Sequence, residues 1–197
     1  MTRVIAGTAG GRTLRVPPGN STRPTSDRAR EGLFASVISE FGDLGDVRVM
    51  DLYAGSGALG LEALSRGARS VLLVESDARA AAVVKANIKA LGLPGATVAA
   101  DRVERLLARP PGQRGDGYDL VLADPPYAVT DDAVARVLAL LADGWLAPGA
   151  LVVVERATRS GPFDWPPGYA EGKSRRYGEA TFWYGWYGDG AESGQAG

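Results

Sequence analysis

Asp51-Leu52-Tyr53-Ala54-Gly55-Ser56-Gly57-Ala58-Leu59-Gly60 decides the architecture of this chain. An acid ends a strand running from Val47 to Leu52, a glycine loop follows, and Ala58 to Arg66 forms a helix. Strand, glycine turn and helix in this order open a βαβ unit. Outward from it, Val71-Leu72-Leu73-Val74 is a continuous apolar run, as expected of a strand covered on both faces. Val84, Ile88 and Leu91 at helical spacing predict a helix over 77–91, stopped by Gly92. A short strand at 97–100, a short helix at 101–108 and a Pro/Gly-rich loop at 110–117 come next. A strand at 118–123, a helix at 131–141 and a strand at 150–154 complete the alternation. Residues 173–187 read as a hairpin turning at Gly178-Glu179. Five parallel strands with a terminal antiparallel pair predict an α/β, doubly wound, Rossmann-like sheet.

Ahead of the alternation lie two short strands, at residues 3–5 and 13–16, around the turn cluster Gly7-Thr8-Ala9-Gly10-Gly11. Pro17-Pro18-Gly19-Asn20 breaks regular structure, and Thr25 or Ser26 can cap a helix carrying Leu33, Phe34, Val37, Ile38 and Phe41. The division expected is a β-hairpin extension over 1–24, a catalytic domain over 25–187 and a disordered tail over 188–197.

Composition bounds the chemistry. The chain has 197 residues, 45% of them hydrophobic and 23% charged, which are globular values. No apolar run is long enough for a membrane span and no signal-peptide pattern opens the chain, so a cytoplasmic location with no membrane partner is expected. Cysteine and histidine are both absent. That removes thiolate nucleophiles, the commonest general base and the commonest metal ligands, so no metal is expected. It also argues against methylation of a pyrimidine carbon through a thiolate adduct. Net charge is −1, yet residues 1–30 hold six arginines (3, 12, 15, 23, 28 and 30) against the single acid Asp27. A basic arm on an acidic body is either a phosphate-binding footprint or a solvated surface segment. The arginines at 23, 28 and 30 can meet phosphates or pair with Asp27 and Glu31; Lys173, Arg175 and Arg176 can add to the same face.

Gly55-Ser56-Gly57-Ala58-Leu59-Gly60 fits the dinucleotide fingerprint, and Glu75 stands where a ribose-binding acid belongs. Asp51 separates the candidates. Beside a pyrophosphate its carboxylate is repelled; beside the ammonium or sulfonium of S-adenosylmethionine it is attracted. Asp124-Pro125-Pro126-Tyr127 is the second motif. Its prolines remove two backbone donors and leave acceptors, the Asp124 carboxylate and the Pro125 carbonyl. Two acceptors hold an exocyclic amine with its lone pair freed for a methyl group, and Tyr127 can stack on a flipped base. Asp101 can accept from the adenine amine or cap the helix after it. The aromatics Phe182, Trp183, Tyr184, Trp186 and Tyr187 read as packing rather than as a stacking platform.

Arg3-Val4-Ile5-Ala6-Gly7, Gly11-Arg12, Arg23-Pro24-Thr25, Asp27-Arg28, Arg30-Glu31 and Leu33-Phe34, with the glycine loop and the proline corner, resemble the RsmD-type 16S rRNA (guanine-N2)-methyltransferases. The resemblance runs from residue 3 to about 187. It implies a class I methyltransferase fold with a small N-terminal β-hairpin/helix extension, and N2-methylation of one guanosine of 16S rRNA on an assembled or assembling 30S particle. S-adenosyl-L-methionine is the implied cofactor and S-adenosyl-L-homocysteine the product. The cofactor roles fall on Asp51, Tyr53, Ala54, Gly55, Gly57, Glu75 and Asp101. The catalytic corner falls on Asp124, Pro125, Pro126 and Tyr127, and RNA contact on Arg3, Arg12, Arg23, Thr25 and Arg28. Rival readings are a DNA or other RNA amine methyltransferase (adenine-N6 or cytosine-N4), an NAD-linked oxidoreductase, and a non-catalytic RNA-binding assembly factor. A monomer is expected.

Overall fold

The computed structural model describes residues 2–18, 25–111 and 117–188. Arg23, the middle of the 110–117 loop and the tail from 189 lie outside the described residues. Two strands open the chain, β1 (Thr2–Arg3) and β2 (Thr13–Leu14), followed by helix α1 (Asp27–Phe41). Then come β3 (Arg48–Leu52), α2 (Ala58–Ser65), β4 (Ser70–Val74), α3 (Ala78–Leu91), β5 (Ala96–Ala99) and α4 (Val103–Leu107). β6 (Tyr118–Ala123), α5 (Asp131–Ala142), β7 (Leu146–Ala157), β8 (Tyr169–Tyr177) and β9 (Ala180–Tyr187) complete the domain.

The main sheet has seven strands in the order β5-β4-β3-β6-β7-β9-β8. The first five are parallel, and β9 inserts antiparallel between β7 and β8. Chain order reverses between β3 and β6, and ligands of open α/β sheets bind at such a switch point, beyond the carboxyl ends of the strands. Successive residues of the central strands serve opposite faces. Val49, Leu122 and Val153 join the core under α1, α2 and α3. Met50, Val121 and Val152 join the core under α4 and α5.

Two expectations change. The strand expected over 150–154 runs the full Leu146–Ala157, because its C-terminal part pairs with β9 out to Ala157–Ala180. The hairpin turns at Gly178-Glu179 as expected, but β8 starts at Tyr169, ahead of the apolar-rich part of the sequence. Phe182 and Tyr184 are buried in the core, as their reading as packing residues requires.

The N-terminal hairpin is welded to the domain. Buried Glu62 on α2 accepts from the Ile5 N–H (2.7 Å), the Ala6 N–H (3.0 Å) and Arg66 Nε (2.7 Å). Ser65 Oγ accepts from the Ala9 N–H and donates to the Ala6 carbonyl. A Cβ on Gly7 would lie 1.8 Å from the Ser65 carbonyl oxygen, so only glycine permits this docking. Asn87 on α3 exchanges hydrogen bonds with both backbone groups of Arg15 and donates to the Ser56 carbonyl, tying residue 15 to the glycine loop.

Candidate active site

The register of the sheet builds the site. Leu52 is opposite both Val74 and Ala123, and Ala123 is opposite Val154. The residues that come next, Glu75, Tyr53, Asp124 and Glu155, therefore form a row across four neighbouring strands, just past the ends of β4, β3 and β6 and within β7. Leu122 and Val153 face the α1–α3 layer, and side chains two residues on share a face, so Asp124 and Glu155 stand side by side beneath α1.

The glycine loop sits at the same edge. Gly57 caps α2 at φ +81°, a left-handed conformation that favours glycine. A Cβ on Gly60 would lie 3.0 Å from Asp51 Oδ2 and 2.8 Å from Val71. That close approach lets the Gly60 N–H donate to Asp51 Oδ2 at 2.8 Å. Tyr53 holds φ +62°, the one positive φ at a non-glycine described residue, and its buried hydroxyl has no partner. Such strain in a residue with a Cβ persists where surrounding structure fixes it, commonly at ligand sites. Glu75 accepts from the Gly55 N–H (2.8 Å) and the Asp77 N–H (2.8 Å), which folds the loop around its carboxylate and leaves lone pairs for ribose hydroxyls.

Two cavities meet here. One, of about 270 Å³, is lined by Tyr53, Gly55, Glu75, Asp124, Tyr127 and Glu155 among others. The other is lined by Thr25, Arg30, Asp51, Ala54, Gly55 and Asp124 among others. They share Tyr53, Gly55 and Asp124 and so form one trough from α1 to the proline corner. Burial first, and then Glu75, push the Asp51 carboxyl up to about 7 against the opposing Gly60 hydrogen bond. Asp124 is pushed well above the usual carboxylate range by burial, by Glu155 and by Asp51. Glu155 rises through burial, opposed by the hydroxyl of Thr25. A cavity walled by three such carboxyls is built for donors and cations.

Of the remaining candidates, Asp101, Arg12 and Arg3 do not line this trough. Asp101 lies outside both cavities; its carboxylate is held by Arg105 and by Arg109 Nη2 (2.9 Å), with the Arg102 N–H at 2.7 Å. Arg12 donates to the Ala90 and Leu91 carbonyls at the C-terminal end of α3. Arg3 pairs with Asp27 at 3.0 Å. Ser26 caps α1, and the Thr25 hydroxyl instead donates to Glu155 Oε2 at 2.8 Å. Arg28 is exposed and lines a further cleft with Tyr127, Glu155, Arg176 and Glu179.

Two residues carry no local signal and emerge only here. Glu155 stands one position beyond the strand expected from sequence. Arg30 is 1% exposed and lines the Asp51 cavity; it donates through Nη2 to the Arg3 carbonyl and to Asp27, while Nε and Nη1 have no partner. A buried guanidinium with donors left unpaired, beside a carboxylate pocket, fits a ligand that carries both an ammonium and a carboxylate. The α-amino-acid end of S-adenosylmethionine is such a group. From sequence residue 30 reads as a phosphate contact or a surface partner of Asp27 or Glu31; it does pair with Asp27, but from a buried position.

This sheet order and the row of strand-end residues define a class I methyltransferase. Residues 2–186 match the family model described as Conserved hypothetical protein 95, and the chain belongs to that family. It is 38% identical to the ribosomal RNA small subunit methyltransferase D of Escherichia coli (strain K12) over 171 residues, 83% of this chain and 80% of the relative. The Haemophilus influenzae protein of the same name is 34% identical over 154 residues, 78% of this chain and 77% of the relative. The solved structure of a hypothetical protein of Thermus thermophilus superposes with a TM-score of 0.78 at 34% identity, covering 93% of this chain and 98% of that one.

Proposed function

We propose that this chain transfers a methyl group from S-adenosylmethionine to N2 of one guanosine in 16S rRNA, on an assembled or assembling 30S particle. The observation that carries this reading is the single trough joining Asp51, Glu75 and Arg30 to the corner Asp124–Tyr127. The names of the relatives support ribosomal RNA as the substrate. The protein works as a cytoplasmic monomer without a metal; no described helix is long and apolar enough to cross a membrane.

S-adenosylmethionine supplies a methyl group bonded to a cationic sulfur. Arg30 takes its carboxylate, Asp51 its ammonium, and Glu75 its ribose hydroxyls, with Tyr53, Ala54, Gly55 and Gly57 shaping the loop around it. The adenine role that the resemblance implies for Asp101 requires its carboxylate to exchange Arg105 or Arg109 for the adenine amine. Tyr127, 49% exposed at the mouth of the trough, stacks on the flipped base. Asp124 and the Pro125 carbonyl would accept from the amine hydrogens, leaving the nitrogen lone pair free for the methyl group that bound S-adenosylmethionine would supply. Orientation supplies most of the rate, and the Asp124 carboxylate stabilises positive charge developing on the nitrogen. A strong base is not needed, because the nitrogen becomes acidic once methylated.

RNA flanking the target runs over the cleft beside Tyr127, where Arg28, Arg159 and Arg176 meet phosphates. Thr25 serves that face through Glu155; Arg3 and Arg12 act by holding the hairpin and α3 in place, and RNA contact by Arg23 rests on the resemblance alone.

The test is labelled methyl transfer to 30S particles, naked 16S rRNA and plasmid DNA in parallel, with the product nucleoside identified. N2-methylguanosine in ribosomal RNA is the expected result. Label in DNA, or as methyladenosine or methylcytosine, overturns the substrate. Donor binding without transfer to any of the three turns the reading towards a silent assembly factor.

A further inference from the structure

The Asp-Pro-Pro-Tyr corner handles an amine, and guanine, adenine and cytosine all carry one. Their difference lies one atom away. Guanine has a ring N1–H donor beside its amine, whereas adenine and cytosine have a ring nitrogen acceptor there. We propose that Glu155 reads this neighbouring ring position and restricts the corner to guanine. The inference rests on the methyl-transfer reading above.

Glu155 stands next to Asp124 in the register of β6 and β7, on the same face of the sheet. It is 6% exposed and lines the trough together with Asp124, Pro125, Pro126 and Tyr127. The Thr25 hydroxyl, donating to Oε2, fixes the carboxylate. Adjacent parallel strands are roughly 4.8 Å apart, so the two carboxylates are neighbours on one wall of the trough and can converge on one base edge. The prolines contribute no N–H that could satisfy an acceptor on that edge. A flipped guanine places its amine at Asp124 and its N1–H at Glu155. Adenine or cytosine would set a lone pair against a buried carboxylate. Sites built on one such hydrogen bond reject the mismatched group by roughly 10⁴-fold.

The test is E155Q, which keeps the shape and removes one of two neighbouring buried charges. Donor affinity is measured by calorimetry and kcat/KM on 30S particles. The nucleotide methylated by the wild type is mapped, and particles are then reconstituted with adenosine at that position. The variant is expected to bind S-adenosylmethionine within twofold of wild type and lose at least 100-fold in kcat/KM on guanosine. Its guanosine-to-adenosine preference should fall by about 1,000-fold, because the glutamine amide can donate to adenine N1. Thr25→Val, which only loosens the carboxylate, should lower kcat/KM about tenfold without changing the preference. Retention of guanosine activity within threefold, or its loss with an unchanged preference, overturns the proposal. Should E155Q fail to fold, wild type alone decides: transfer to the substituted adenosine within tenfold of guanosine overturns it, and rejection beyond 1,000-fold supports it. If the wild type forms no N2-methylguanosine at all, the underlying reading fails instead.

Discussion

Replacing Arg30 by methionine tests the cofactor pocket most directly. The side chain is 1% exposed, and two of its nitrogen atoms, Nε and Nη1, have no partner while the third donates to Arg3 and Asp27. Hydrogen bonds to charged groups contribute about 1.5–3 kcal/mol each, and Nε and Nη1 point apart, so one bond to a carboxylate gives about 1.5–3 kcal/mol before desolvation. Stripping water from the carboxylate offsets part of this, and about 2 kcal/mol net corresponds to roughly 30-fold in affinity. Calorimetry with S-adenosylmethionine, its decarboxylated analogue and 5′-methylthioadenosine, on wild type and R30M, isolates the contact. Wild type should bind the decarboxylated analogue about 30-fold more weakly than S-adenosylmethionine, whereas R30M should bind the two alike. Both proteins should bind 5′-methylthioadenosine, which lacks the amino acid, with similar affinity. Unchanged affinity of R30M for S-adenosylmethionine would refute the reasoning, and so would an equal loss for all three ligands, which marks a structural defect.

Asp51 gives a pH signature and Glu62 a stability one. The Asp51 carboxyl is raised to about 7 in the folded protein, so its charge is present above that pH and lost as pH falls through it. Affinity for S-adenosylmethionine should therefore fall about tenfold between pH 8 and pH 6, and D51N should bind weakly with that dependence gone; a flat wild-type profile contradicts the role. The same shift means that this group destabilises the ligand-free fold by an amount that grows as pH rises from 3.8 to about 7, is full above 7 and is relieved completely only below 3.8. Glu62→Ala leaves the Ile5 and Ala6 N–H groups and Arg66 without their acceptor, a cost of about 3 kcal/mol. The melting temperature should drop by roughly 6–12 °C, with amide exchange accelerating first in residues 2–16; uniform exchange would show that the hairpin is not the unit released.

The sequence by itself determined the strands and helices of the sheet, the glycine loop and the proline corner. Val71–Val74 is apolar at every position because both faces are covered, and Asp77 and Gly92 mark the ends of α3 through cap chemistry that acts over three or four residues. These are local causes, and local sequence records them. Only the tertiary structure decided which charges are spent. Arg12 and Arg30 look alike as arginines of a basic arm, yet one holds the carbonyl end of α3 and the other is buried against the Asp51 cavity. Thr25 and Ser26 are equivalent candidate caps until the chain brings β7, 130 residues on, beside Thr25. Glu155 is one acid after an apolar run until the register of β6 and β7 sets it beside Asp124. Spacing along a strand is written in the sequence, but adjacency across a parallel sheet joins residues far apart in the chain. That adjacency turns separate carboxylates and one arginine into a site.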